Sequence, residues 1–190
     1  NTKNIQKYYS EIVNSESTQY TDNILSAFTV LDKLGLKIGD LLPLLGKIIP
    51  LSARIELIKE FCGRYFVNDI KSTTPYATQQ ALTKYKKPVI LICGGHTKNL
   101  SYENFFLTIS PGLKKLIILQ SDIANIAQKY LKNKDFVIVD DLEKAIKEAY
   151  KISDMGDVIL TSPAGSFFYS DFIRDKMSLR KIITSLPPKD

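Results

Sequence analysis

A single histidine, His96, and two cysteines, Cys62 and Cys93, are all that 190 residues offer as imidazole or thiolate ligands. One imidazole without a cluster of partners does not make a zinc or iron site. Both cysteines lie in or beside hydrophobic segments and read as buried free thiols of a reducing compartment, so the expected location is the cytoplasm. No run of about 18 apolar residues occurs, and no membrane span is expected. No signal-peptide pattern opens the chain, whose first residue is Asn1 rather than Met; a piece of a longer or processed protein is the expectation. The phosphate loop GxxxxGK[ST] is missing, so the chain does not hold nucleotide phosphates in that way by itself. The formal charge of +6 is spread over scattered lysines with no basic stripe interleaved with aromatics. It points to solubility, not to nucleic acid.

What is present is a hydrophobic fraction of 44%, enough for a proper core in one domain or slightly more. Residues 1–19 are polar, with a loop at NSEST. From Asp22, Ile24, Leu25, Ala27, Phe28, Leu31 and Leu34 recur at helical spacing until Gly35 stops the helix. A short helix over 39–45 follows. Such a pair is too small to bury its apolar faces, so it is expected to pack on the rest of this chain or on a missing part; in the latter case the 22–34 helix would pair two copies of the chain or remain mobile.

After Pro50 the pattern changes. Residues 54–68 read as a hairpin turning at Gly63. Strands are predicted at 64–68, 88–93, 115–120, 136–139 and 157–161, and helices at 75–85, 101–109, 122–131, 141–152 and 171–185. Continuous β-branched runs between amphipathic helices give an α/β fold: a Rossmann-like, mainly parallel sheet with helices on both faces, preceded by a small helical segment. The boundary falls in GKIIPLS at 47–53, dividing the chain into 1–50 and 51–190.

Ligands of open parallel sheets bind beyond the carboxyl ends of the strands. Three of the five predicted strand ends carry polar or glycine-rich sequence: NDIKSTT after the first, CGGHTKN at 93–99, and TSPAGSFF at 161–168. The ends at Gln120-Ser-Asp and Asp140-Asp read as helix caps. Lys71 and Lys98 are compact cations, Thr73 and Ser166 are hydroxyl donors, and helix N-termini add oriented N–H groups. Together they suit an anion, either a dicarboxylate or phosphates. Gly94-Gly95 permits close backbone approach. Asp69 either accepts from a ribose or caps the following helix. His96 either touches the ligand or, as a lone loop histidine, faces solvent.

The three loops, in this order, resemble the carboxyl-terminal domain of the Mur ligases, most closely the members that add D-glutamate to UDP-N-acetylmuramoyl-L-alanine. An Asn-Asp-Ser-Lys-Ala-Thr-Asn element is matched by Asn68-Asp69-Ile70-Lys71-Ser72-Thr73-Thr74. Gly-Gly-x-x-Lys is matched by Gly94 to Lys98, and Leu-Ser-Pro-Ala-x-x-Ser by Thr161 to Ser166, with Phe172-Ile-Arg-Asp beyond. Asn23 resembles an adenine-side asparagine, and Pro50 to Arg54 a Leu-Pro-His-Arg hinge. Differences are Gln19-Tyr20 where the family has His-Asn, Ala53 at the hinge histidine, and a final loop about two residues shorter.

What the resemblance implies is an ATP- and magnesium-dependent amide ligase; a related ligase for another amino acid, or a non-catalytic binding or scaffold module that kept the domain and lost the chemistry, are the alternative readings. Lys98, Thr73 and Ser166 would hold the D-glutamate carboxylates, with Lys71 on the substrate or phosphate side. Asp69 and Arg54 would face ribose and phosphates, and Asn23 the adenine. Residues 1–50 would be the end of a central ATP-binding domain, and magnesium would be held mainly by the rest of that domain. The chain alone is expected to be inactive.

Overall fold

The computed structural model describes residues 21–47, 51–109, 113–132, 136–166 and 176–189. The loop expected at 14–18, Gln19-Tyr20, Pro50 and the Phe172 segment lie outside the described residues. Two compact units divide the chain, Asn1–Leu51 and Ser52–Asp190.

In the first unit, helix α1 (Thr21–Lys33) is followed by a one-turn helix α2 (Ile38–Leu41), which tightens into a 3-10 helix over Leu42–Lys47. Ile24 and Phe28, one turn apart on α1, are buried together with Ile38 and Leu45, and Leu25 and Leu31 pack against them. The face expected to seek a second copy is therefore covered within its own unit, and nothing supports pairing of two chains through it. Gly35, with φ +85°, ends the α1 turn where a side chain would be strained.

Among the described residues the second unit is built on one six-stranded sheet: β1 (Glu56–Phe61), β2 (Arg64–Asn68), β3 (Val89–Gly94), β4 (Leu113–Leu119), β5 (Phe136–Val139) and β6 (Val158–Ala164). The spatial order is β1-β2-β6-β3-β4-β5. β1 pairs antiparallel with β2 and every other neighbouring pair is parallel. Cys62 and Gly63 both have positive φ, the geometry of a two-residue hairpin whose twist matches its strands.

The helices of this unit are α3 (Pro75–Leu82), α4 (Glu103–Ile109), α5 (Asp122–Tyr130), α6 (Leu142–Ile152) and, after β6, α7 (Lys176–Thr184). Strand side chains alternate between the faces. Leu91, Cys93, Leu116, Ile118 and Leu160 meet residues of α3, α4 and α5 such as Ala81, Phe106 and Ile123. Ile90, Ile92, Ile117, Leu119 and Ile159 meet Ile146 and Ala149 of α6 and Leu179 and Ile183 of α7. Both faces are thus dry, which is why the central strands read as unbroken apolar runs. Of the two strand ends expected to be helix caps, Asp141 accepts from the Lys144 amide at 2.7 Å. Ser121 occupies the cap position of α5 without capping, because its hydroxyl donates to the Leu119 carbonyl.

The order places β6, the last strand in sequence, between β2 and β3. All three run in the same direction, so the loops that follow them leave from one edge of the sheet. From β3 the chain proceeds outward to β4 and β5, whereas α7, after β6, packs back on β1. Connections thus diverge between β6 and β3, and such a point is where an open sheet leaves a crevice.

Candidate functional site

The first loop leaves β2 at Asn68 and is organised around Asp69. Its carboxylate, only 2% exposed, accepts from the Ile55 amide at 3.2 Å and from the Ser162 hydroxyl at 2.7 Å. Ser162 in turn lies 2.8 Å from the Thr78 hydroxyl of α3, and both are fully buried. With Ser162 donating to Asp69, Thr78 donates to Ser162, giving a chain of fixed direction. Burial raises the Asp69 carboxyl above its ordinary value, opposed by hydrogen bonds from Ser72, Ser162 and Ile55 and by the nearby Arg54 charge. Backbone bonds tie the same parts together: Asp69 N–H to Thr161 O, Ala164 N–H to Ser72 O, and Lys71 N–H to Ala53 O. Asp69 does not cap the next helix. Thr74 does, accepting from the Ala77 amide at 3.3 Å ahead of Pro75 in the first turn of α3.

At the same place the chain enters this unit through a constrained turn. Ala53 and Ile55 have φ of 61° and 50°, and a β-branched residue in that region is costly. Two carboxylates hold it there. Asp69 takes the Ile55 amide, and Glu56 takes both the Ala53 amide and the Ser52 hydroxyl at 3.0 Å. Arg54 lies exposed between the two strained residues.

The second loop begins at Gly94 and Gly95, with φ of 147° and 106°. His96 then pairs with Ser166 of the third loop: His96 N–H to Ser166 O at 2.7 Å, and Ser166 N–H to His96 O at 3.0 Å. The intervening Gly165 leaves no room for a side chain. A Cβ there would stand 2.8 Å from His96 O and 3.1 Å from Gly94 O. Two residues on, Lys98 and Asn99 adopt left-handed backbones, and the Lys98 ammonium donates to the Thr73 hydroxyl at 3.3 Å. Tyr102, buried, donates to Ala164 O at 2.6 Å and closes the loop from beneath.

The expected residues therefore fall as follows. Thr73 and Lys98 are in direct contact. Lys71, exposed, is on the same loop as Thr73, and Ser166, buried, is bridged through its backbone to the loop of Lys98. Asp69 lies beneath them, and Arg54 beside it at the strained turn. Asn23 is exposed and belongs to the first unit. Ser162, Thr78 and Asp122, whose carboxylate lies 2.7 Å from His96 Nδ1, form part of this framework although sequence reasoning did not single them out. Thr78 carried a signal: it shares a helix face with Ala81, and a hydroxyl on an apolar face needs a partner. At this rim the Lys98 ammonium and the Thr73 hydroxyl meet, on loop backbones that glycines bring close together.

A model of the family described as Mur ligase, glutamate ligase domain, matches residues 53–165, more than half of the chain. The chain belongs to the Mur ligase family. Among curated relatives, it is 33% identical over 147 residues to the UDP-N-acetylmuramoylalanine--D-glutamate ligase of Caldanaerobacter subterraneus, covering 75% of this chain and 33% of the relative. To the enzyme of the same name from Thermotoga maritima it is 32% identical over 166 residues, covering 86% and 38%. The chain thus spans about a third of the length of these relatives. Among solved structures, MurF ligase from Thermotoga maritima in complex with ADP superposes with a TM-score of 0.61 at 22% identity, covering 85% of this chain and 37% of that one. UDP-N-acetylmuramate-alanine ligase from the same organism gives 0.60 at 17%, covering 90% and 38%. These likenesses establish the Mur ligase fold. The family match, together with the D-glutamate-adding relatives, bears out the resemblance read from the loops.

Proposed function

We propose that this chain is the amino-acid-binding part of an ATP-dependent amide ligase, acting in the cytoplasm, that joins D-glutamate to UDP-N-acetylmuramoyl-L-alanine during peptidoglycan precursor synthesis. One observation carries the reading: the loops after β2, β6 and β3 converge, with Lys98 bonded to Thr73 and Ser166 bridged to His96. Lys98, Thr73 and Ser166 would receive the carboxylates of D-glutamate, and Lys71 would face the substrate or the transferring phosphate. Arg54 and Asn23 would serve the nucleotide. Asp69, its oxygens engaged, would serve that side from beneath by fixing the turn that carries Arg54.

ATP would supply the phosphoryl group that activates the acceptor carboxylate. Among the described residues no group of His, Cys, Asp or Glu could hold a metal ion. The magnesium and triphosphate would be bound mainly by protein outside this chain, in a central domain of which residues 1–50 would be the end, and the chain alone would not turn over. What its residues do is hold the amine donor in position and shield its charge, so catalysis is placement and electrostatics.

The test uses the whole protein that carries this chain. Phosphate release should require both UDP-N-acetylmuramoyl-L-alanine and glutamate, with the D-isomer favoured. Release independent of glutamate, or none with either isomer, overturns the proposal. Lys98→Ala should raise the glutamate KM or abolish turnover with Tm near wild type, because the side chain is exposed; an unchanged rate removes Lys98 from the site. A binding module that kept the fold without the chemistry is the second reading. It is favoured by the burial of Asp69, which offers no exposed oxygen to a ribose.

A further inference from the structure

The loop that carries Lys98 begins with two glycines of positive φ, the least restrained start a backbone has. Its anchors converge on one residue. The backbone of His96 exchanges two hydrogen bonds with Ser166, and its imidazole Nδ1 lies 2.7 Å from Asp122 Oδ2 in the first turn of α5. A second bond fastens the same helix end to the same loop, from the Ile123 amide to Gly95 O at 3.4 Å. Helix α5 itself is firmly seated: Ile123, Ala124 and Ala127 are fully buried in the sheet face. His96 therefore stands between a packed helix and two strand-end loops, tied to the helix by its side chain and to Ser166 by its main chain.

The geometry points to His96 and Asp122 as a positioning pair for the anion rim. By holding Nδ1–H on the Asp122 carboxylate, His96 fixes the height of Ser166 on one side and, two residues on, the left-handed backbone of Lys98 on the other. It does this without touching the ligand. The inference rests on the ligand-binding reading of Lys98 and Ser166 given above. The bond's expected tautomer follows: neutral His96 carries its proton on Nδ1, because a carboxylate only accepts. Both side chains are more than half exposed, so the effect is modest. Exposed pairs of this kind correspond to about a two- to five-fold change in an equilibrium.

Two measurements separate this inference from the function it rests on. The first needs no catalysis. Since His96 is the only histidine in the chain, its ring nitrogens can be read by NMR without ambiguity. The expected result is the Nδ1–H tautomer in the wild type and its loss in Asp122→Ala, with the amide signals of Lys98 and Ser166 shifting and those of β4 and β5 unmoved. An Nε2–H ring, or Lys98 and Ser166 signals indifferent to Asp122→Ala, overturns the pair whether or not the protein is a ligase.

The second is kinetic, in the whole protein. His96→Ala and Asp122→Ala should each raise the glutamate KM about two- to five-fold with kcat kept, and the double variant should do no more than either alone. His96→Asn, whose amide reaches the position of Nδ1, should restore the wild-type KM. A loss in His96→Ala far beyond that in Asp122→Ala, with no recovery in His96→Asn, would mean that the imidazole contacts the ligand and would overturn the positioning role.

Discussion

Asp69→Ala is expected to destabilise the second unit by about 2–4 kcal/mol, within the roughly 2–6 kcal/mol that two donors left without an acceptor would cost at about 1–3 kcal/mol each. Two of its donors are the Ile55 amide and the Ser162 hydroxyl, both aimed at a carboxylate that is 2% exposed. The lower half of the range is favoured because burial already offsets part of what the ionised group contributes. Asp69→Asn keeps the shape and one carbonyl acceptor, so about half that loss, roughly 1–2 kcal/mol, is expected. The pH dependence has a definite sign. Burial raises the folded Asp69 above its ordinary 3.8, so the native state holds the proton more tightly than the unfolded chain does. Wild-type stability contributed by this group is full below that value and declines as pH rises through the folded pKa. The carboxamide of the Asp69→Asn variant does not titrate, so the gap between it and the wild type should narrow as pH rises from the acid side. Urea unfolding followed by circular dichroism across that range, with unchanged m-values, measures both effects. A loss below about 1 kcal/mol for Asp69→Ala would refute the argument that these donors depend on this carboxylate, and a gap that widens with pH would refute the upward push of burial on Asp69.

Gly165→Ala places a Cβ 2.6 Å from Ile123 Cδ1 and 2.8 Å from His96 O, so overpacking should cost about 1–3 kcal/mol by denaturation and displace the Ser166 amide signal; a neutral effect would show that the loop yields freely. Lys114→Met removes the ammonium held by Asp154 and Asp157, leaving the Asp157 side chain, 5% exposed, without its cation, and should cost about 1–3 kcal/mol by thermal unfolding. Because hydrogen bonding to Lys114, aided by its charge, lowers Asp154 below its ordinary 3.8, stability from this cluster is present above that value and is lost as pH falls through the lowered pKa, a loss the Lys114→Met variant should lack. Cys62, half-buried at the hairpin tip, should react with a thiol reagent in the native protein, whereas Cys93, fully buried with its thiol pushed up by desolvation, should react only on unfolding. Equal native rates would contradict the burial of β3.

The strands were legible because both faces of the sheet are dry, as in the run VILIC at 89–93, which is buried throughout. The end of β6 was not. Expected at 161, it continues to Ala164 through Ser162 and Pro163, because the neighbouring loops supply partners: Asp69 N–H to Thr161 O, Ala164 N–H to Ser72 O, and Gly94 in register with Ala164. Polar residues and proline signal a strand's end only when nothing outside the strand satisfies them. The rim itself was readable as three polar strand ends in order. What lay beneath it was not, since Asp69 meets Ser162 across 93 residues and Ser162 meets Thr78 across 84. Spacing carries no record of contacts that the strand order creates. The alternative role of Asp69 as a helix cap failed for a local reason: Thr74 stands immediately before Pro75, where a hydroxyl reaches the Ala77 amide directly.

A middle strand drawn from the tail of the chain has a consequence for how the molecule comes into being. Until residues 158–164 arrive, β2 and β3 each lack the partner strand that joins them in the sheet. The β1–β2 ribbon and the β3–β4–β5 half wait as separate, sticky pieces during synthesis, and their union requires closing a long stretch of chain. Chains interrupted before β6 should therefore cluster with one another rather than fold, and growth conditions that slow the final stage of translation should lower the soluble yield more than those that slow its beginning.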